Sequence, residues 1–181
     1  MIPVILRTQR LVLDQPTAVD RHLVAEYCRD PLFEGFMTTP WPYELTHATA
    51  FVNDMVPMGW RTDTEYTWAI RVDGELGGMI SFREELRMIG YWLGAPHRGH
   101  GYMTEAASAV VDWVFSIGRP TVLWECVAGN LASASVARKV GFRYTGTRPA
   151  AVIARDGSET LAWHGELGAG DDRSPRPGWP A

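Results

Sequence analysis

The longest periodic run of apolar positions follows Tyr102: Met103, Ala106, Ala107, Val110, Val111, Val114 and Phe115 recur at intervals of three and four. That spacing predicts a helix to about Ile117, buried along one face. Val19, Leu23, Val24 and Tyr27 make a second such face, after a Thr17/Asp20 pair spaced as a helix cap. Ala48, Phe51, Val52 and Met55 make a third, with Thr46 as the expected cap and Pro57 as the expected stop. Residues 131–140 read as a shorter helix that ends at Gly141. Between these, residues 11–13, 66–72, 75–82, 88–94 and 121–127 read as strands, and Asp73-Gly74 joins two of them as a tight hairpin. Residues 143–148, 151–155 and 159–167 are expected as closing strands, the last two separated by Asp156-Gly157.

The order β-α-α-β-β-β-α-β-α-β-β predicts a single mixed α/β (α+β) domain over residues 1–167, without an internal repeat. Residues 168–181 are rich in Gly, Pro and charge and lack periodicity, so they are expected to form a flexible tail. A chain of 181 residues can bury a full core in one such domain. A net charge of −4 offers no basic excess to neutralise phosphates, which argues against nucleic acid as a partner. Two cysteines make no disulfide framework, the N-terminus has no signal-peptide pattern, and no apolar run is long enough to span a bilayer. These features lead us to expect a cytoplasmic protein without a membrane partner.

Chemistry first becomes legible at Arg98-Gly99-His100-Gly101-Tyr102-Met103, between an expected strand and the long helix. Two closely spaced glycines let the backbone turn its N–H groups toward an anion at the positive end of a helix. A tight turn with an exposed Arg is the plainer alternative. A Rossmann loop is poorly supported, because its third glycine would fall on Thr104, and the Gly-Lys-Ser/Thr of a Walker loop is missing. About thirty residues on comes Asn130-Leu-Ala-Ser133, then Lys139-Val-Gly141-Phe142.

The two motifs in this order, with a strand between them, resemble the GNAT superfamily of acetyl-CoA-dependent N-acyltransferases. The first resembles its Arg-x-x-Gly-x-Gly/Ala pyrophosphate loop and departs from it at Met103. Tyr91-Trp92 and Thr104-Glu105-Ala106 are similar to the ribosomal-protein N-terminal acetyltransferases of the Rim type. The resemblance covers roughly residues 5–167. It implies a mostly antiparallel central sheet flanked by helices and splayed between its two middle strands. It also implies acetyl-CoA, or another short acyl-CoA, as co-substrate, with no metal, and often a homodimer. The cofactor would be held by Arg98, Gly99, His100, Gly101, Tyr102, Met103 and Thr104. The main chain of Trp92, Leu93 and Gly94 would pair with the pantetheine arm beside Asn130 and Ser133. Arg138 would reach the ribose phosphate, although a solvated helix face is the plainer reading for Arg138 and Lys139 alike.

Acyl transfer to an amine needs a neutral nucleophile and a proton for the departing thiolate. An α-amine is roughly 10–20% neutral at pH 7, whereas a lysine is neutral about four times in ten thousand. Glu125 is the preferred base, since an alternating strand can aim it toward the splay; a strand-end Glu paired with Arg is the alternative. Glu84 and Glu85 are second candidates, and Glu105 reads as capping or packing. The resemblance makes Ser133 the proton donor, with helix capping as its rival duty. The Tyr that many superfamily members place seven residues after the Asn is Ala137 here, with Tyr144 a distant substitute, and residues 148–153 hold no carboxylate. Both absences favour a non-catalytic coenzyme A-binding module as an alternative. Phe36, Trp41 and Tyr91 are expected on the acceptor side, although an aromatic loop can equally cover the core. Cys126 reads as a buried strand residue rather than a nucleophile, and no Cys or carboxylate cluster makes a metal site of His97 and His100. An N-terminal α-amine of a protein is the leading acceptor, and a small-molecule amine such as an antibiotic or polyamine the other.

Overall fold

The computed structural model describes residues 1–180. In chain order the strands are β1 (Leu6–Arg7), β2 (Leu11–Asp14), β3 (Glu65–Val72), β4 (Glu75–Arg83), β5 (Met88–Leu93), β6 (Thr121–Val127), β7 (Arg143–Pro149) and β8 (Leu161–Gly168). The helices are α1 (Arg21–Tyr27), α2 (Pro31–Phe36), α3 (Leu45–Ala50), α4 (Val56–Thr62), α5 (Tyr102–Ser116) and α6 (Leu131–Val140). All eight strands join one sheet in the order β1-β2-β3-β4-β5-β6-β8-β7. Every pairing is antiparallel except β5 with β6. That parallel pair holds only at Met88↔Leu123 and Ile89↔Trp124. Beyond it β5 stays with β4 and β6 with β8, so the sheet splays in its middle as expected.

Helices cover both faces. On one, α5 and α6 pack with Trp60 of α4 against Trp68, Ile80, Phe82 and Phe142, all close to fully buried. Each fully buried Val or Ile in this layer stabilises the fold by roughly 1.5–3 kcal/mol. On the other face Val24, Phe33, Ala48 and Val52 pack on Ala69, Leu76 and Met79. Asp20, 4% exposed, fixes the start of α1 to the sheet through a two-point ion pair with Arg71 at 2.5 and 2.9 Å.

Four expectations change. The helix that begins at Leu45 does not stop at Pro57 but runs on to Thr62 through a π turn at Phe51–Met55. There the N–H of Val56 reaches back five residues to Phe51, a widening that seats a proline with no N–H of its own. Its N-cap is Glu44 rather than Thr46. Residues 151–155 do not form a strand; they begin the loop of the β7–β8 hairpin, and the N–H groups of Ala151 and Val152 bond the Glu125 carboxylate instead of a ladder. The closing segment is no free tail. Trp179 lies 5.4 Å from Trp124 and 5.6 Å from Tyr144, ring to ring, Arg173 pairs with Asp112, and its main chain occupies the space a Cβ on Gly141 would need. One aromatic anchor has no period, so nothing in the local pattern announces it.

Candidate active site

The divergence of β5 from β6 leaves two clefts that meet beside α6. The first, about 350 Å³, lies against the start of α5 and is walled by Phe33, Trp92, Leu93 and Val136, with Arg98, Thr104, Asn130, Ser133 and Lys139 as its polar groups. The second, about 610 Å³, is bounded by Trp41, Trp124, Glu125, Cys126 and the 150–160 loop. Phe36, Met37, Tyr91, Asn130 and Ser133 line both.

At the floor of the first cleft, Gly99 and Gly101 both have φ of +82°, the left-handed region that non-glycine residues adopt at a cost. Gly101 precedes α5, and no side chain caps that helix. Its first internal bond runs from the Glu105 N–H to Gly101, so the N–H groups of the preceding turn are free of helical partners. Uncapped donors at the positive end of a 15-residue helix form a seat for an anion. Arg98 lines this cleft, but its guanidinium is also a brace: Nε donates to the Leu93 carbonyl at 3.0 Å and Nη1 to Asp30 at 2.7 Å. A bond from the Leu32 N–H, then Arg98, hold the Asp30 carboxyl below the usual carboxylate range against the opposing effect of burial. On the outer side of the turn Arg10 donates to the His100 carbonyl, pairs with Glu105 and lies over the Tyr102 ring. Burial acts to raise the Glu105 carboxyl, but bonds from Thr8 and Arg10 hold it low, consistent with its expected packing role.

Several expected ligands do not line either cleft with a side chain. His100 stacks on Tyr102, and neither lines a cleft. Gly94 is buried under Tyr27, three of whose ring atoms lie 2.6–2.7 Å from where a Cβ would be. Gly94→Ala is therefore expected to destabilise the fold by about 1–3 kcal/mol, as overpacking does, read as a fall in the urea midpoint; an unchanged midpoint would mean that Tyr27 swings aside. Arg138 is exposed and outside the clefts, whereas Ser135, Val136 and Lys139 line the first. With Ala132 they form one face at helical spacing, a signal present in the sequence. Met103 lines the cleft but is 5% exposed, with its side chain in the core.

Where the clefts meet, three side chains form a network. The Trp124 indole donates to Ser133 Oγ at 3.2 Å, Ser133 Oγ donates to the Tyr91 hydroxyl at 3.2 Å, and that hydroxyl donates to the Ser133 carbonyl at 3.0 Å. Asn130 Oδ1 accepts the Ser133 N–H at 3.1 Å, so Asn130 caps α6 and the Ser133 hydroxyl is left to the network with Trp124 and Tyr91. Burial pushes the Tyr91 hydroxyl well above its ordinary pKa, which keeps it a neutral donor. Burial likewise pushes the Cys126 thiol up to about 12, in keeping with a strand residue rather than a nucleophile.

Glu125 lines the second cleft with its side chain 8% exposed. Its Oε2 accepts from Ala151 N–H at 3.0 Å and its Oε1 from Val152 N–H at 3.2 Å. His164, which sequence reasoning missed, is 5% exposed, with Nδ1 at 3.6 Å from Glu125 Oε2 and Nε2 at 3.4 Å from the Arg148 carbonyl. Only its position opposite Glu125 on β8, across the β6–β8 ladder, marks it out. Neither rival carboxylate lines a cleft: Glu84 pairs with Arg119, and Glu85 is exposed in a turn. His97 bonds the Tyr27 hydroxyl at 3.2 Å.

Comparison with known proteins bears on this arrangement. Residues 10–143 match the family model described as an acetyltransferase (GNAT) domain. RimJ of Mycobacterium smegmatis, solved in complex with CoA-disulfide, superposes with a TM-score of 0.78 at 19% identity over 92% of this chain and 87% of that one. A Salmonella typhimurium acetyltransferase that modifies the N-terminal serine of ribosomal protein L7/L12 gives a TM-score of 0.79 at 18% identity, over 91% and 99%. MccE, the microcin C7 self-immunity acetyltransferase solved with acetyl-CoA and AMP, gives 0.77 at 19% identity, over 89% and 93%. No curated protein matches the chain by sequence. The family model spans most of the chain, including the glycine turn, β6 and α6, and the fold is shared nearly end to end; the chain belongs to the GNAT acetyltransferases and is an acyl-CoA-dependent N-acyltransferase.

Proposed function

We propose that this enzyme transfers an acetyl or other short acyl group from acyl-CoA directly to the α-amine at a protein N-terminus, in a ternary complex. The observation that carries this reading is the meeting of two clefts at Tyr91, Asn130 and Ser133, which lets donor and acceptor approach from separate sides. The first cleft fits coenzyme A by its donor set. Uncapped N–H groups and Lys139 suit phosphates, and the open edges of the splayed strands suit the amides of the pantetheine arm. When bound, the co-substrate supplies an activated thioester carbonyl.

The residues of the chain do the rest. Trp92 and Leu93 line the arm, and Asn130 holds the start of α6 so that Ser133 faces the junction. Ser133 Oγ, which accepts from the Trp124 indole, turns its proton from the Tyr91 hydroxyl to the leaving sulfur, and regains one through water from the proton that Glu125 takes off the amine. Glu125, fixed by two backbone N–H groups, keeps a lone pair on each oxygen and takes the amine proton through water. An α-amine asks little of such a base. Phe36 and Trp41 wall the acceptor. The Rim-type neighbours, one of which modifies a ribosomal-protein N-terminus, support a protein acceptor. A small-molecule amine is the second reading, favoured by Arg155, which bonds the Glu34 carbonyl from the opposite wall and narrows the second cleft.

Thiol release from acetyl-CoA with a panel of N-terminal peptides and small amines tests the proposal. Turnover with peptides is expected, reduced about 10²–10⁴-fold in kcat by Ser133→Ala if the hydroxyl delivers the proton. Cofactor binding without turnover for any amine would overturn the acceptor reading.

A further inference from the structure

The segment after β8 passes the later turns of α5 and the end of α6 before it returns to the sheet at Trp179. On the way Arg173 pairs with Asp112 and lies over the Phe115 ring, and its main chain abuts Gly141. Where Trp179 lands, the sheet is shaped to receive a ring. Trp124 on β6 and Tyr144 on β7 each stand opposite Gly165 on β8, so the three make one row on one face. Gly165 leaves the middle of that row without a side chain. Trp179 fills the gap: its ring comes within 3.5 Å of where a Cβ on Gly165 would be. Its ring centre is 5.4 Å from that of Trp124 and 5.6 Å from that of Tyr144, with tilted planes in both pairs. Trp179 Nε1 is buried with no hydrogen-bond partner among the described residues, so packing holds this ring and its polar edge does not.

The ring that Trp179 backs is the one that meets the reacting site. Trp124 is 1% exposed, and its indole N–H donates to Ser133 Oγ at 3.2 Å. As Ser133 gives up its proton, its oxygen gains negative charge and that bond strengthens. Its direction therefore matters in the transition state more than in the bound complex. Tilted aromatic pairs fix one another's orientation beyond the area they bury, and a ring beside a void loses the contacts that hold its rotamer. We infer that Trp179 is a positioning residue for acyl transfer: from the closing segment it wedges the Trp124 indole so that its N–H stays aimed at Ser133. The inference rests on Ser133 being the proton donor.

The test is steady-state kinetics with acetyl-CoA and an N-terminal peptide as acceptor. Trp179→Ala is expected to lower kcat about 3–10-fold, the contribution of one hydrogen bond, with the KM for acetyl-CoA unchanged. Trp179→Phe, which keeps a ring and loses only an unpaired N–H, should retain most of kcat. Trp124→Phe also keeps a ring but has no N–H to aim, so adding Trp179→Ala to it should slow kcat no further. A merely structural Trp179 would slow both backgrounds alike, and urea midpoints report the stability lost in each. Trp179→Leu, which fills part of the gap, serves in the same cycle if the alanine variant does not fold. Full kcat in the folded variant, whatever its KM, or a loss that Trp124→Phe leaves undiminished, overturns the positioning role but not the acyltransferase. Full kcat in Ser133→Ala, or no turnover with any acceptor, overturns the proton-donor reading, and this inference with it.

Discussion

Glu125→Gln is expected to lower kcat/KM for an α-amine acceptor about 10²–10⁴-fold at pH 7, the usual contribution of a positioned base. The substitution is nearly isosteric, but glutamine cannot take a proton. The amine arrives mostly as an ammonium ion, since its pKa is about 8. The deficit should therefore shrink as pH is raised past that value, where neutral amine is abundant and a base is less needed. This pH dependence separates catalysis from architecture, because the same carboxylate also holds the 150–160 loop. One glutamine oxygen cannot serve the N–H groups of both Ala151 and Val152, and its NH₂ opposes the second. Loosening of the loop should appear as a higher KM for the acceptor at every pH. His164→Gln, beside Glu125 but outside both clefts, should reproduce the KM effect and spare the pH profile. A constant deficit from pH 6 to 9 would falsify the base assignment and leave Glu125 as a loop anchor.

Gly101→Glu is expected to raise the Kd for acetyl-CoA at least about 100-fold, or nearly 3 kcal/mol. Two effects combine. At φ +82° any residue with a Cβ is strained by about 1–2 kcal/mol. A carboxylate at this point also sets a negative charge where the uncapped start of α5 would meet phosphates. Gly101→Ala separates the two. Its Cβ would stand 3.5 Å from Arg10 Nη2, which is ordinary contact, so it should show only the strain, as a lower unfolding midpoint with little change in Kd. Equal losses of affinity in the Ala and Glu variants would place the effect in backbone geometry rather than charge. Calorimetric titration with coenzyme A, in parallel with urea unfolding, distinguishes these outcomes.

Much of the fold could be read locally. Strand β6 and helix α6 fall where expected because each has a clear period and, in α6, a left-handed glycine stop at Gly141. The Asp73-Gly74 hairpin forms with both residues at positive φ, as its turn chemistry dictates. The glycine turn at 99–101 was legible for the same reason: its conformation is written in which residues lack a side chain. Signals that join distant residues were not legible. Arg98 shares its charge with Asp30, 68 positions away, and Glu125 is committed to Ala151 and Val152, 26 and 27 positions on. The face of α6 that lines the first cleft was available as the 132/135/136/139 repeat, but only the docking of α6 beside the splay decides that Lys139 borders the cleft and Arg138 does not. Trp179 and His164 have no periodic neighbours at all, and their partners lie on β6 and β7.

The sequence by itself determined most of the order of elements and the anion-seating turn, because these depend on short-range periodicity and on glycine conformation, while the splayed sheet and the acyl-CoA chemistry came from the resemblance of its two motifs to the GNAT superfamily. The tertiary structure decided which charges are free and which are spent on braces, and that two clefts meet at Tyr91, Asn130 and Ser133. Those depend on which side chains the packing of sheet and helices brings within about 3 Å, the range in which hydrogen bonds form, and no local pattern encodes that proximity.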